Sequence, residues 1–232
     1  MILEIACNNI QSVIHAVEGG ADRIELFSNI QEGGVTPSLG TMRMSRVFEV
    51  PVYGMIRPRG GNFCYSPKEV EIIKYDIESA QSAGLDGIVF GALLPNGEID
   101  AKLCEQVLTC WDKPITFHRA FDFVSNQTTS LNLLIELGFE RVLTSGGQPS
   151  AIQGLNRIKD LANLSEGNIK ILAGAGINSS NVHNFSDIVG LEGIHTTAKK
   201  NVTNQNAMLD SNWVSDSKEI EALRSILDET TE

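Results

Sequence analysis

A chain of 232 residues that is 42% hydrophobic and 20% charged has enough apolar material for one sizeable core and no signature of disorder. Its formal net charge of -11 excludes broad contact with nucleic acid or an anionic membrane, both of which need concentrated Lys and Arg, and leaves small molecules as the expected partners. No apolar run approaches the roughly 18 residues that span a bilayer, and Met1-Ile2-Leu3-Glu4 lacks the basic and apolar regions of a signal peptide, so a cytoplasmic protein is expected.

Short aliphatic and β-branched runs recur at 2–6, 23–27, 52–57, 87–90, 115–118, 141–144, 169–173 and 193–195, with helical spacing between them. The first connection aligns Ile10, Val13, Ile14 and Val17 on one face, and the third does the same with Val70, Ile73, Ile77 and Ala80. Ser66-Pro67-Lys68-Glu69 predicts a helix start with a capping box, and Thr36-Pro37 predicts another. Gly19, Gly84 and Gly138 stand where a left-handed helix end favours glycine. The stretch 196–217 reads as a polar, irregular loop before a last amphipathic helix through Ile220, Leu223 and Leu227, and 228–232 as a frayed acidic terminus. A dinucleotide-binding sheet would carry GxGxxG after its first strand, where this chain has Ala6-Cys7-Asn8-Asn9. Eight β-then-α units without a linker therefore predict one α/β domain over 1–232, a (β/α)8 TIM barrel.

Chemistry in such barrels sits at the C-terminal strand ends. Period-two alternation turns Leu3, Ile5, Ile24, Leu26, Ile56, Phe117 and Ile194 toward the helices, and Glu4, Glu25, Arg57, His118 and His195 into the barrel. Two readings of the carboxylates stay open. Glu4 and Glu25 pair with Arg57, Arg23 or Arg141 in an interior salt-bridge layer, or they join His118 as catalytic groups. Arg57-Pro58-Arg59-Gly60-Gly61 offers Arg57 and Arg59 as a clamp for a carboxylate or phosphate, against a loop held only by ion pairs. Ser145, Gly146 and Gly147 after the sixth run, and Gly174 and Gly176 after the seventh, bring bare backbone N–H groups to an anion, with His195 and Lys199 beside them. No lysine ends a strand facing inward, which argues against a Schiff-base aldolase.

Two carboxylates and a histidine also suit a divalent metal. The four cysteines, Cys7, Cys64, Cys104 and Cys110, form no CxxC pair and are expected as reduced thiols. Cu(I) prefers soft ligands, and near the barrel mouth the sequence offers chiefly Cys7, with Cys64 as a second candidate.

Five segments carry a family resemblance: Gly19-Gly20-Ala21-Asp22-Arg23-Ile24-Glu25-Leu26, Glu32-Gly33-Gly34-Val35-Thr36-Pro37-Ser38, Met55-Ile56-Arg57-Pro58-Arg59-Gly60-Gly61, Thr116-Phe117-His118-Arg119-Ala120-Phe121-Asp122 and Leu143-Thr144-Ser145-Gly146-Gly147. Together, in this order and over roughly 2–200, they resemble the CutC copper homeostasis family. The resemblance implies a cytosolic barrel, a homodimer or larger homo-oligomer, with a role in copper tolerance and an activity that the family name does not supply. Of two cysteines that family members often carry at early strand ends, Cys7 matches and Phe27 stands in place of the other. Beyond His195 the family's Ser-Ala-Arg type segment is Thr196-Thr197-Ala198-Lys199-Lys200, with lysine keeping the cation, and its later Arg- and Asn-bearing loop is not recognisable in 201–212.

Three functional readings follow. The first is an enzyme for a small anionic metabolite, with Arg57 and Arg59 on the anion, Glu4 or Glu25 as base and His118 as acid or metal ligand. The second is direct Cu(I) binding or buffering through Cys7. The third is a non-catalytic interaction scaffold.

Overall fold

The structure, a computed structural model, describes residues 1–202 and 213–229. Strands β1 (Ile2–Cys7), β2 (Arg23–Leu26), β3 (Val52–Met55), β4 (Gly87–Phe90), β5 (Ile115–Phe117), β6 (Arg141–Thr144), β7 (Lys170–Gly174) and β8 (Leu191–Thr196) pair in parallel in chain order. Pairing of β8 with β1, Leu3 against Ile194 and Glu4 against His195, closes the barrel. The alternation expected on β1 is present: Leu3, Ile5 and Cys7 join the apolar layer under the helices, while Ala6 joins a separate inner cluster with Phe27, Tyr53, Met55, Val89 and Trp213.

Around the barrel lie α1 (Ile10–Glu18), α2 (Leu39–Ser45), α3 (Pro67–Ala83), α4 (Ala101–Cys110), α5 (Gln127–Leu137), α6 (Leu155–Ser165) and α7 (Ser217–Glu229). Ser66 and Glu69 form the expected capping box. At the second predicted start the cap is Ser38, whose side chain accepts from Thr41 N, while Thr36 Oγ1 instead donates to Asp76 at 2.6 Å. Gly84 and Gly138 take left-handed backbones as expected. After α1 the left-handed residue is Gly20, with φ of 87°, and Gly19 serves packing instead, since a Cβ there would lie 2.6 Å from Ile220 Cβ of α7.

The connection after β7 departs from the eight-helix expectation, holding only a 3-10 turn, Val182–Asn184, among its described residues. Asn178 Oδ1 accepts from Ser180 N and Asn181 Oδ1 from Asn178 N, and such local bonds compete with a helix. The expected irregular stretch 196–217 contains β9 (Lys199–Asn201) paired antiparallel with β10 (Trp213–Ser215), and 203–212 and 230–232 lie outside the described residues.

Deep in the barrel, charge is layered. Both Glu192 oxygens accept from Arg141, through Nε and, at 2.8 Å, through the NH2 group. Tyr53 places its ring beneath both Arg141 and Arg23, with centroids 5.3 and 5.1 Å away. Arg23 then donates from Nε to Glu4 at 2.5 Å. The salt-bridge layer read from the sequence therefore exists around Glu4, Arg23 and Arg141, with Glu192 as an additional member and without Glu25 or Arg57.

Candidate functional site

A cavity of about 900 Å³ opens at the C-terminal strand ends. Phe27, Ile30, Met55 and Phe63 line an apolar side, and Glu25, Arg57, His118, Arg119, His195 and Lys199 bring charge or proton chemistry to the same space. The turn 175–180 after β7 and residues Thr196 to Lys199 after β8 complete much of the wall.

Glu25 is 4% exposed, and its Oε2 has no hydrogen-bond partner. Burial, reinforced by the negative charge of Glu4 and opposed by His195 and Arg23, pushes its carboxyl up to about 7. Glu4 is equally buried yet behaves in the opposite way. Burial alone would raise its pKa, but Arg23 and His195 pull it down to about 2. Glu4 Oε1 lies 2.7 Å from His195 Nδ1, and because Glu4 is an anion, Nδ1 is the donor. That bond orients the ring and leaves Nε2 for other work. Burial depresses the His195 pKa, and the neighbouring Glu25 and Glu4 more than reverse this, so the net direction is upward.

His118 is 3% exposed and caps the 3-10 turn Arg119–Phe123, with Nδ1 accepting from Ala120 N at 3.1 Å. Accepting at Nδ1 puts the proton of the neutral ring on Nε2, which has no partner. Burial and the charge of Arg57 lower its pKa to about 3, so the ring is neutral throughout the physiological range. Gly91 makes room for it, since a Cβ there would lie 2.5 Å from the ring.

The structure redistributes the expected anion-binding groups. Arg57 lines the cavity, but its terminal nitrogens donate to the carbonyls of Glu32, Gly34 and Gly61. Arg59 turns to Glu69 and to the carbonyls of Gly60, Asn62 and Cys64, so the two guanidiniums brace loops and do not form a clamp. The nest at Ser145, Gly146 and Gly147 does hold an anion, and it is the protein's own. Asp122 accepts from Ser145 N at 3.0 Å, Gly147 N at 3.0 Å and Thr144 Oγ1 at 2.6 Å. Gly146 N donates to Thr144 Oγ1. Gly174 makes room for Leu143 and His195, since a Cβ there would lie 2.7 Å from Leu143 Cδ1 and 3.3 Å from the His195 ring, while Gly176 and Lys199 line the cavity.

Cys7 faces the apolar layer, 0% exposed, and burial raises its thiol pKa far above the ordinary value. Among the described residues no cysteine lines the cavity, so the soft copper ligand expected at the mouth is directed away from it. Glu4, Glu25 and His195 offer ligand atoms within 4.8 Å of one another, which moves the expected carboxylate and histidine cluster from His118 to His195. Both Glu4 oxygens already accept hydrogen bonds, Oε2 from Arg23 and Oε1 from His195, so a divalent cation on these three groups would have to compete with at least one of them. The set fits proton exchange better than metal binding.

Arg119 lies outside the anion-binding set expected from the sequence. It lines the cavity and is held by Asp122 at 2.8 Å and Ser145 Oγ at 2.9 Å, with its side chain 39% exposed. Its position directly after His118 is the signal that marks it.

Comparison with known proteins agrees with the resemblance. The CutC family model matches residues 1–200. A copper homeostasis protein cutC homolog from Homo sapiens is 44% identical over 200 residues, 85% of this chain and 73% of that protein. A family protein CutC from Photorhabdus laumondii is also 44% identical, over 85% of this chain and 80% of its own length. A solved CutC structure from Streptococcus agalactiae superposes with a TM-score of 0.80 at 33% identity, covering 85% of this chain and 99% of its own. An aldolase structure called QR15 matches with a TM-score of 0.67 and 12% identity over 100% of this chain and 96% of its own, a likeness of fold alone. With its fold, sequence segments and relatives in agreement over most of its length, the chain belongs to the CutC family.

Proposed function

We propose that this CutC protein is an enzyme that moves a proton on a small anionic metabolite bound at the mouth of its barrel. The observation that carries this reading is Glu25, a buried carboxyl with one oxygen unpartnered, in the wall of a cavity large enough for a metabolite. Stability alone does not favour such a group, because an unpaired buried acid is costly to keep. Its pKa near neutrality suits a general base, His195 beside it is oriented by Glu4 to exchange the proton, and Arg119 and Lys199 supply positive charge for the substrate's anionic end. The copper link carried by the relatives' names is indirect on this reading, since no thiolate faces the cavity among the described residues.

A melting screen with small carboxylates and phosphates tests the reading. A ligand that binds only the folded state raises the melting temperature. At least one of these anions is expected to do so in the wild-type chain, with the shift reduced in Arg119→Ala or Lys199→Ala. No shift with any anion, or shifts untouched by both substitutions, would contradict the proposal.

A further inference from the structure

The cavity contains a second buried group without a partner, and its chemistry complements that of Glu25. The neutral ring of His118 keeps its proton on Nε2 because Nδ1 is occupied by Ala120 N, and that Nε2–H meets no acceptor. Glu25 belongs to β2 and His118 follows β5, three strands further round the closed barrel, so the two enter the cavity from well-separated walls. A buried donor on one wall and a buried acceptor on another are each left to a bound molecule. Arg57, fixed by three carbonyls, keeps a positive charge beside His118, and Phe63 packs on that imidazole at 4.9 Å and under the Arg57 guanidinium at 4.8 Å.

We propose that the site enolises a small carboxylated carbonyl compound, with Glu25 removing the proton next to the carbonyl and His118 Nε2–H holding the oxygen on which charge develops. This rests on the proton-transfer reading above and names its substrate class. The Glu25 carboxylate takes the proton, the C–H electron pair forms the new C=C bond, and the carbonyl π pair moves to oxygen. Return of the proton from Glu25 to the same carbon restores both the carbonyl and the carboxylate, so no oxidant, reductant or second substrate is required. A neutral imidazole is the appropriate donor, because its weak acidity resembles that of an enol and it stabilises the oxyanion without being deprotonated at neutral pH. Arg119 and Lys199 in the same cavity meet the substrate's carboxylate.

Oxalate is a planar mimic of the enolate of a 2-oxo acid, and malonate carries the same charge without the conjugation. Isothermal titration of the full chain is expected to give oxalate binding about ten-fold or more tighter than malonate binding. That preference is expected to disappear in His118→Phe and to survive in His118→Gln, whose amide keeps a donor. Glu25→Gln is expected to retain oxalate, because its amide replaces the protonated carboxyl that the enolate meets. In the wild-type protein, which needs no substitution, oxalate is expected to move the His118 Nε2–H proton resonance downfield. Absence of oxalate binding, equal binding of the two acids, or an unmoved resonance overturns the enolisation proposal. Binding of other anions without this discrimination would leave the broader proton-transfer reading standing, and absence of all anion binding would remove both.

Discussion

His195 donates from Nδ1 to Glu4 Oε1 at 2.7 Å while Arg23 Nε holds the other oxygen of the same carboxylate at 2.5 Å. One buried side chain thus links the mouth of the cavity to the ion pairs deeper in the barrel. Because the folded pKa of Glu4 is lowered from 4.5 to about 2, its contribution to stability is fully present above 4.5 and is lost as pH falls toward 2. His195 has the opposite sign: its raised pKa favours folding below the unfolded value, and this contribution disappears as pH rises through the folded one. Glu4→Gln is expected to lower neutral-pH stability by about 3–5 kcal/mol, because Arg23 loses a buried counter-charge. Urea unfolding as a function of pH measures this, and the variant should also lose much of the wild-type acid slope below 4.5.

Glu25 makes the contrary prediction. A carboxyl whose folded pKa is raised from 4.5 to about 7 binds more protons in the folded state, so it weakens folding progressively as pH rises through that window. Glu25→Gln is expected to be more stable than wild type by about 1–3 kcal/mol at a pH of about 8, with the gain shrinking toward 4.5. On the proton-transfer reading it should lose turnover at the same time, the exchange of stability for function expected when a costly buried polar group is removed from an active site. Denaturation at several pH values decides this, and a Gln variant less stable at every pH would assign Glu25 a structural role.

The barrel was legible because its signals are local. Alternation along Leu3, Glu4 and Ile5 orients the strand, and Ser66 with Glu69 starts the third helix within four residues. The inward-facing acids, His118 and His195 were legible for the same reason. Partner choice was not, because it depends on contacts between residues far apart in the chain. Glu192 sits 51 residues from Arg141, and nothing near either position says which carboxylate reaches it. Ser145, Gly146 and Gly147 do form an anion nest, but its occupant Asp122 lies 23 residues before Ser145. Arg57 and Arg59 look free in the sequence because the acceptors they bind are mostly backbone carbonyls, which every residue possesses.

Cys7 gives a test of direct copper coordination. A thiolate is the metal ligand, and a thiol with 0% exposure and a strongly raised pKa resists deprotonation. Alkylation of the native protein is expected to modify exposed Cys110 first and to spare Cys7 and Cys104 until unfolding. Cys7→Ser is then expected to leave Cu(I) affinity unchanged in an anaerobic titration against a competing chelator. A marked loss of affinity in that variant would return Cys7 to the copper-binding role.

Asp122 fills a nest whose geometry is that of a binding site for a free anion. Its carboxylate accepts from two backbone N–H groups, from the hydroxyls of Thr144 and Ser145, and from Arg119 Nε, while its side chain is only 4% exposed. Asp122→Ala removes an acceptor from all of these donors at once. A loss of about 3 kcal/mol or more is expected, since each buried donor left unpaired costs about 1–3 kcal/mol. The vacated nest keeps its N–H groups and gains an unneutralised arginine, so sulfate should enter it and recover part of the loss. Melting curves of the wild type and Asp122→Ala across a sulfate series, with chloride matched for ionic strength, measure this. A larger sulfate response in the variant is the expected result, because in the wild type the Asp122 carboxylate competes for the same donors. Equal responses would mean that the loop collapses once Asp122 is gone, and that the carboxylate shapes the nest as well as filling it.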